Sequence, residues 1–416
     1  MISLDDARSY VFSLLGELAP IEMGVDQAHG CVAAADVVAT EEIPGFANSS
    51  MDGFALCARD TADTPVRLRI VDSVLAGGVS HTRVAEGEAT RIMTGAPLPE
   101  GADCVEMIEE VEVATDGSHV TVHRRLDAGN FVRHPGDDIK AGDRLIEAGD
   151  VLHATRLGVL ASQGVTHVRV HPRPRVGVMS TGNELTIDAG PLRPGTIRDV
   201  NRPLLLALLR DAGVDSVDLG TVRDDYAATR AMIERAVQEC DVVVSTGGVS
   251  AGDVDYVKAV IIELAGETGR SLQIAVRPGK PFAFGVVGDR RVPVFGLPGN
   301  PVSTRVGFEL FVRPSLRRLG GHRFTERLSL DAVLDCDMAR TPDGRVHMVH
   351  VSASLSDDGR VHVTGVTREG SHLLHAVSRA TAIAAVPDGT GLATGDTVRL
   401  IVLHPEELTA PTRSVI

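Results

Sequence analysis

The stretch that decides the fold is "CDVVVSTGGVSAGDVDY", residues 240–256. An apolar run breaks into small residues and a glycine pair, then into Asp253 and Asp255, just where the helical pattern "YVKAVIIELAG" (256–266) begins. A short β-branched run, a glycine turn and a helix make one strand–loop–helix unit of a sheet buried on both faces. The same unit recurs around it. "RVGVMSTGNEL" (175–185) is a strand ending in a glycine turn, and "RPLLLALLRDAG" (202–213) is a helix stopped at Gly213. The strand "SVDLGTV" (216–222), the helix "YAATRAMIERAVQE" (226–239) and the strand "LQIAV" (272–276) follow. The pair "FAFGVV" (282–287) and "RVPVFGLPG" (291–299) leads into one long helix, "PVSTRVGFELFVRPSLRRL" (301–319). Alternating strands and helices predict a doubly wound, mostly parallel sheet over 172–321, with any ligand at the carboxyl ends of its strands.

The flanks read differently. Residues 46–142 hold short β runs such as "VRLRIVDSVLAGG" (66–78) and "VEMIEEVEVATDG" (105–117) between Gly and Asp turns, an inserted β module. Residues 1–45 and 143–171 form a helical and mixed connector, opened by "MISLDDARSYVFSLLGEL", where Ser3 starts a helix. From 322 to 416 the chain is β again. "RVHMVHVSASLSDDGRVHVTGV" (345–366) is a hairpin turning at Asp358-Gly359, and a small barrel-like domain is expected. The fold class is therefore α/β and multidomain, long enough at 416 residues for several cores.

Composition narrows function. The net charge is −15, Lys occurs only at positions 140, 258 and 280, and there is no basic block. Nucleic-acid binding, which needs clustered cations to displace counterions, is not expected. The five cysteines form no CxxC pair or zinc spacing, which suits buried thiols in a reducing compartment. No run reaches the ~18 apolar residues of a membrane span, and acids stand where a signal peptide carries basic residues, so the expected location is the cytoplasm.

The chemistry concentrates at strand ends. In the opening stretch, Gly247, Gly248 and Ser250 let backbone N–H groups approach an anion, while Asp255 stands at a helix start, where capping alone would account for it. "VRPGKPFAFG" (276–285) holds Arg277 and Lys280 at a rigid turn, suited to a phosphate or oxyanion or to plain solvation. "FGLPGNPVS" (295–303) brings Gly299 and Asn300 to a helix N-terminus with Pro301 in first position. Glu184 follows one strand. Asp224 and Asp225 follow another, and helix capping is the expected role of Asp224 taken alone. A dianion ~4 Å from a carboxylate is repelled by several kcal/mol at an effective dielectric near 20. Acids beside phosphate-type loops therefore imply a bridging cation, and Mg²⁺ suits one or two carboxylates plus water. In the β module, Asp52 of "NSSMDGFAL" (48–56), Thr94 of "RIMTGAPLPEGAD" (91–103), and Asp137 and Asp138 of "HPGDDIKAGD" (134–143) each fit an ordinary turn when taken singly.

Together and in this order, "NSSMDGFAL", "RIMTGAPLPEGAD", "GDDI", "STGNEL", "TGGVSAGDVDY", "PGKPFAFG" and "LPGNPVS" resemble the molybdopterin molybdenumtransferase family, shared with the C-terminal domain of gephyrin. The resemblance runs from about residue 3 to the C-terminus and is loosest in the last β domain, where it rests on "GSH" (370–372). It implies an elongated homodimer whose cleft lies between the doubly wound domain of one subunit and the β module of the other. It implies a reaction of adenylylated molybdopterin with molybdate and Mg²⁺ that releases AMP. Asp52 and Asp138, as catalytic acids, and Thr94, as a substrate contact, would line the cleft from the β module; Glu184, Asp224 and Asp255 would be catalytic and metal-holding acids; Ser371 would be a further contact. The family pattern also implies basic residues where this chain has Gln273, Arg277 and His350. An adenylyltransferase on the same sheet, and a non-catalytic scaffold, are the rival readings.

Overall fold

The computed structural model describes residues 1–249, 255–366, 370 and 372–408. Its centre is a six-stranded sheet built from β1 (Arg175–Thr181), β2 (Asp215–Val222), β3 (Val242–Thr246), β4 (Arg270–Gln273), β5 (Pro281–Val287) and β6 (Val292–Leu297). The spatial order is β2-β1-β3-β6-β5-β4. The first four strands run parallel; β5 pairs antiparallel with β6, and β4 pairs antiparallel with β5 and so runs with the other four. β3 and β6 are buried along their whole length, as unalternating apolar runs require.

Helices cover both faces. They are α1 (Leu4–Ser13), α2 (Ala154–Ser162), α3 (Asn201–Asp211), α4 (Tyr226–Glu239), α5 (Tyr256–Ala265), α6 (Pro301–Gly307) and α7 (Arg313–Leu319), of which all but α2 pack on this sheet or its core. Ser3 caps α1, accepting from the Asp6 amide at 3.0 Å. The apolar stripe Ala7, Val11 and Leu15 then joins Val176, Val244 and Phe295 in the central core. The N-terminal helix thus serves the parallel sheet. The rest of the flanking segments builds a separate small sheet, Ile21–Gly24, His167–His171 and Val32–Ala33, around Leu152 and Leu160 under α2.

The expected single helix over 301–319 is interrupted by a π-helical turn, Phe308–Val312. Pro314 explains it. In an unbroken α-helix its ring would collide with the Leu310 carbonyl and leave it without an amide donor. The wider turn frees that carbonyl, which accepts from Arg8 Nη1 at 3.0 Å. The "LQIAV" run is also divided: β4 stays at the sheet edge, while Val276–Arg277 leaves to pair with Val346–His347.

Residues of the β module form a six-stranded sheet around Phe54, Leu56 and Leu68. Toward the C-terminus Ser329–Leu334, Val346–Leu355, Val361–Val366, Ala382–Val386 and Thr397–Val402 close into a five-stranded barrel, each strand paired on both sides. Met348, Ile383 and Leu403 dock the barrel on the central core. Among the described residues no helix is long and apolar enough to cross a membrane.

Candidate active site

Because β1, β2, β3 and β6 run parallel, their carboxyl-end turns open on one side. There they line a cavity of about 1060 Å³. Glu184 and Asp224 come from the first two turns, Gly247, Gly248 and Asp255 from the third, and Gly299 and Asn300 from the fourth. The sequence separates these residues by more than a hundred positions; the topology brings them to one crevice.

The β1 and β2 turns are tied reciprocally. The Asn183 amide donates to Asp224 Oδ2 at 3.1 Å, and the Asp224 amide donates to Asn183 Oδ1 at 3.2 Å. Asp224 therefore does not cap α4; Asp225 does, accepting from the Ala228 amide at 2.7 Å. The capping role expected of Asp224 is corrected, because its neighbour performs it and leaves the Asp224 carboxylate to the crevice. Asp255 stands at the start of α5, but its side chain makes no capping bond to the first turn and lies 3.9 Å from Lys258 Nζ. Gly247 has φ +94°, and a Cβ there would stand 2.5 Å from the Thr181 carbonyl oxygen. The glycine is thus demanded by backbone conformation and by the close approach of β1.

A second hollow of about 440 Å³ adjoins the first, sharing Pro281, Ser303 and His372 with it. Arg277 and Lys280 form one side; His347, His350 and His372 come from the barrel side. Arg277 Nη1 lies 3.7 Å from Asp343 Oδ2, but that carboxylate also serves Arg340, Arg345 and His347. The hydrogen bond from Arg345 leads in holding it far below the usual carboxylate range. Arg277 and Lys280 line the hollow with no Asp or Glu among its described lining residues, which leaves it cationic. His350 is 3% exposed, and burial, followed by the charge of Arg305, pushes its pKa down to about 4.

The β-module candidates lie elsewhere in the chain. Asp52 accepts from the Thr94 amide and from Thr94 Oγ1, both at 2.7 Å, and the amide bond leads in holding its carboxyl below the ordinary value. Asp138 is exposed, its amide donating to the Ile43 carbonyl at 3.0 Å. None of the three lines either cavity. Ser250, Asp253 and Ser371 lie outside the described residues.

Sequence reading passed over Asp199 and Asn201, which also line the large cavity. Burial pulls the Asp199 carboxyl up, but bonds from Ser180 Oγ at 2.6 Å and Arg202 Nε at 3.0 Å more than offset it and hold it low. Asn201 Nδ2 donates to Thr246 Oγ1 at 2.9 Å and to the Gly299 carbonyl at 2.6 Å, joining the third and fourth turns. The "RDVN" segment (198–201), polar residues directly before the apolar helix "RPLLLALL", was the available signal.

Among the described residues no three His, Cys, Asp or Glu side chains form a metal-binding group. Glu184 and Asp224 stand on the two bonded turns, and Asp255 lines the same cavity. Two carboxylates on bonded turns above a roomy cavity do fit a largely hydrated Mg²⁺, which takes one or two carboxylates and fills its other positions with water and phosphate oxygens.

Residues 2–164 match the MoeA N-terminal region (domain I and II), residues 177–318 the probable molybdopterin binding domain, and residues 331–403 the MoeA C-terminal region (domain IV). The chain is 32% identical over 402 residues to the molybdopterin molybdenumtransferase of Haemophilus influenzae, covering 96% of this chain and 98% of that one. It is 33% identical over 380 residues to the Bacillus subtilis molybdopterin molybdenumtransferase, covering 90% and 87%. Its fold matches the molybdopterin biosynthesis MoeA protein of Pyrococcus horikoshii with a TM-score of 0.78 and 30% identity, over 97% of this chain and 99% of that one.

Proposed function

The chain belongs to the molybdopterin molybdenumtransferase family, a transferase family of molybdenum cofactor biosynthesis, and from that premise we propose that it inserts molybdenum from molybdate into adenylylated molybdopterin, with Mg²⁺, releasing AMP. The observation that carries this reading is the junction of an acid-lined crevice with a cationic hollow. A substrate carrying both a phosphoanhydride and an oxyanion needs such a divided site. The same repulsion of several kcal/mol that bars an unshielded dianion from the acids steers molybdate to Arg277 and Lys280.

In this reading the turns at Gly247–Gly248 and Gly299–Asn300 cradle the pterin phosphate and adenylate with backbone N–H groups, and Ser250 adds a hydroxyl. Glu184 and Asp224 would hold Mg²⁺, with Asp255 facing it; the ion supplies charge screening between the carboxylates and the phosphates. Insertion exchanges one molybdate oxygen for two dithiolene sulfurs, so the oxide leaves as water with the two thiol protons, and a water that attacks the phosphoanhydride frees AMP and leaves the pterin phosphate. The acids carry protons across that exchange. Ser371 is an added contact from the C-terminal domain of the sequence. Asp52, Thr94 and Asp138 complete the cleft from a second copy in a homodimer working in the cytoplasm, which accounts for their lying off both hollows in one chain.

The test is AMP release from adenylylated molybdopterin as molybdate and Mg²⁺ are varied. The wild-type chain should require molybdate, and Asp255→Ala and Glu184→Gln should each lose on the order of a hundredfold in turnover. AMP release indifferent to molybdate would favour a nucleotidyl-transfer enzyme instead, and wild-type turnover in Asp255→Ala would remove that residue from the mechanism.

A further inference from the structure

Beside Arg277 and Lys280, the cationic hollow is lined by Val302 and Ser303 of α6 and by His347–His350 of the barrel. Apolar packing presses barrel against helix, but such contacts are non-directional and permit sliding. Just below the hollow lies a directional device. The Glu309 side chain, in the π-helical turn, is fully buried, and two arginines share it. Arg305 of α6 approaches Oε1 at 3.3 Å. Arg327, leading into the first barrel strand, takes both oxygens, Nε to Oε2 at 2.6 Å and Nη2 to Oε1 at 3.1 Å. Arg327 Nη1 also donates to the Leu403 carbonyl at the end of the last barrel strand, at 2.9 Å.

We propose that Glu309 is a positioning residue, whose buried carboxylate clamps α6 to the barrel and so sets the width of the oxyanion hollow between Ser303 and His347–His350. The proposal rests on the reading of that hollow as the molybdate side of the site. Buried ion pairs are poor sources of net stability, and their best attested use is to specify one arrangement among several apolar ones. The two-toothed fork of Arg327 fixes angle as well as distance, which a packed leucine cannot do. Arg305 and Glu309 are four residues apart, so the helix itself sets that pair on one face, while Arg327 reaches Glu309 from the segment entering the barrel.

The experiment uses the full chain and measures direct binding: molybdate by equilibrium dialysis, and AMP with Mg²⁺ by calorimetry as a probe of the acid crevice. Glu309→Gln should weaken molybdate by about tenfold and AMP by less than about twofold, because only the hollow loses its spacing. Arg327→Lys keeps the charge but loses the fork and should weaken molybdate by about threefold; it carries the test if the first variant does not fold. Molybdate bound as tightly as by the wild-type chain in these variants overturns the clamp. So does an equal loss of both ligands, which marks general loosening. A wild-type chain that binds molybdate but shows no molybdate-dependent AMP release overturns the proposed function and leaves the clamp standing. A wild-type chain that binds no molybdate overturns both.

Discussion

At the scale of single residues, the site depends on backbone geometry as much as on charge. Gly247→Ala places a methyl against the Thr181 carbonyl at a φ of +94°. It should lower unfolding stability by about 2–4 kcal/mol, read from urea denaturation, and abolish turnover in whatever folded fraction remains. A variant as stable as the parent would mean that the turn relaxes freely. The Gly-Gly turn was legible in the sequence because a glycine pair closing an apolar run has few uses other than a tight turn. Which aspartate of "RDD" caps was not legible. Asp224 and Asp225 are chemically identical, and only the bond to Asn183, from a turn 41 residues away, separates their roles. Asp199 escaped for a related reason, since its partners Ser180 and Arg202 have no pattern until β1 and α3 are packed together.

At the scale of elements, helix α4 follows its apolar period and its Asp225 cap over the whole expected span, Tyr226–Glu239. The helix after Asn300 did not. Local propensity continued through 301–319, and the break came from one proline meeting one carbonyl, with Arg8 from the other end of the chain on hand to satisfy it. The barrel strand Val346–Leu355 carries its own titration. His350 keeps a pKa of about 4 when folded, against an ordinary value of 6.5. The unfolded chain therefore takes up the proton first as pH falls, so stability is full above about pH 7 and is lost between there and pH 4. At pH 5 the loss from this one group is on the order of 2 kcal/mol. Thermal midpoints measured from pH 8 to pH 5 should fall less steeply in His350→Gln than in the parent, and parallel curves would show that the buried imidazole is not the source. His322, also pushed down to about 4 by burial and then by Arg317 and Arg313, adds a second loss in the same window and sets the slope that remains in the variant.

At the scale of the whole molecule, the four parallel strand ends explain why residues from Glu184 to Asn300 share one crevice, and the adjoining barrel explains the cationic hollow beside it. The first of these relations was readable from the alternation of strands and helices, which dictates the side on which the turns open. The position of the β module relative to the crevice was not, because no periodicity encodes how separately cored units meet. Asp52 and Thr94 hold each other at 2.7 Å yet stand away from both hollows of their own chain. The proposed cleft shared between two copies would resolve this. Mixing two inactive variants tests it most directly. Asp52→Asn chains and Asp224→Asn chains, each without turnover alone, are unfolded together, refolded as a mixture and assayed for molybdate-dependent AMP release. Half of the dimers are then mixed and each holds one intact cleft, so about a quarter of wild-type turnover should return. A mixture as inactive as its two components would contradict a cleft built from both copies.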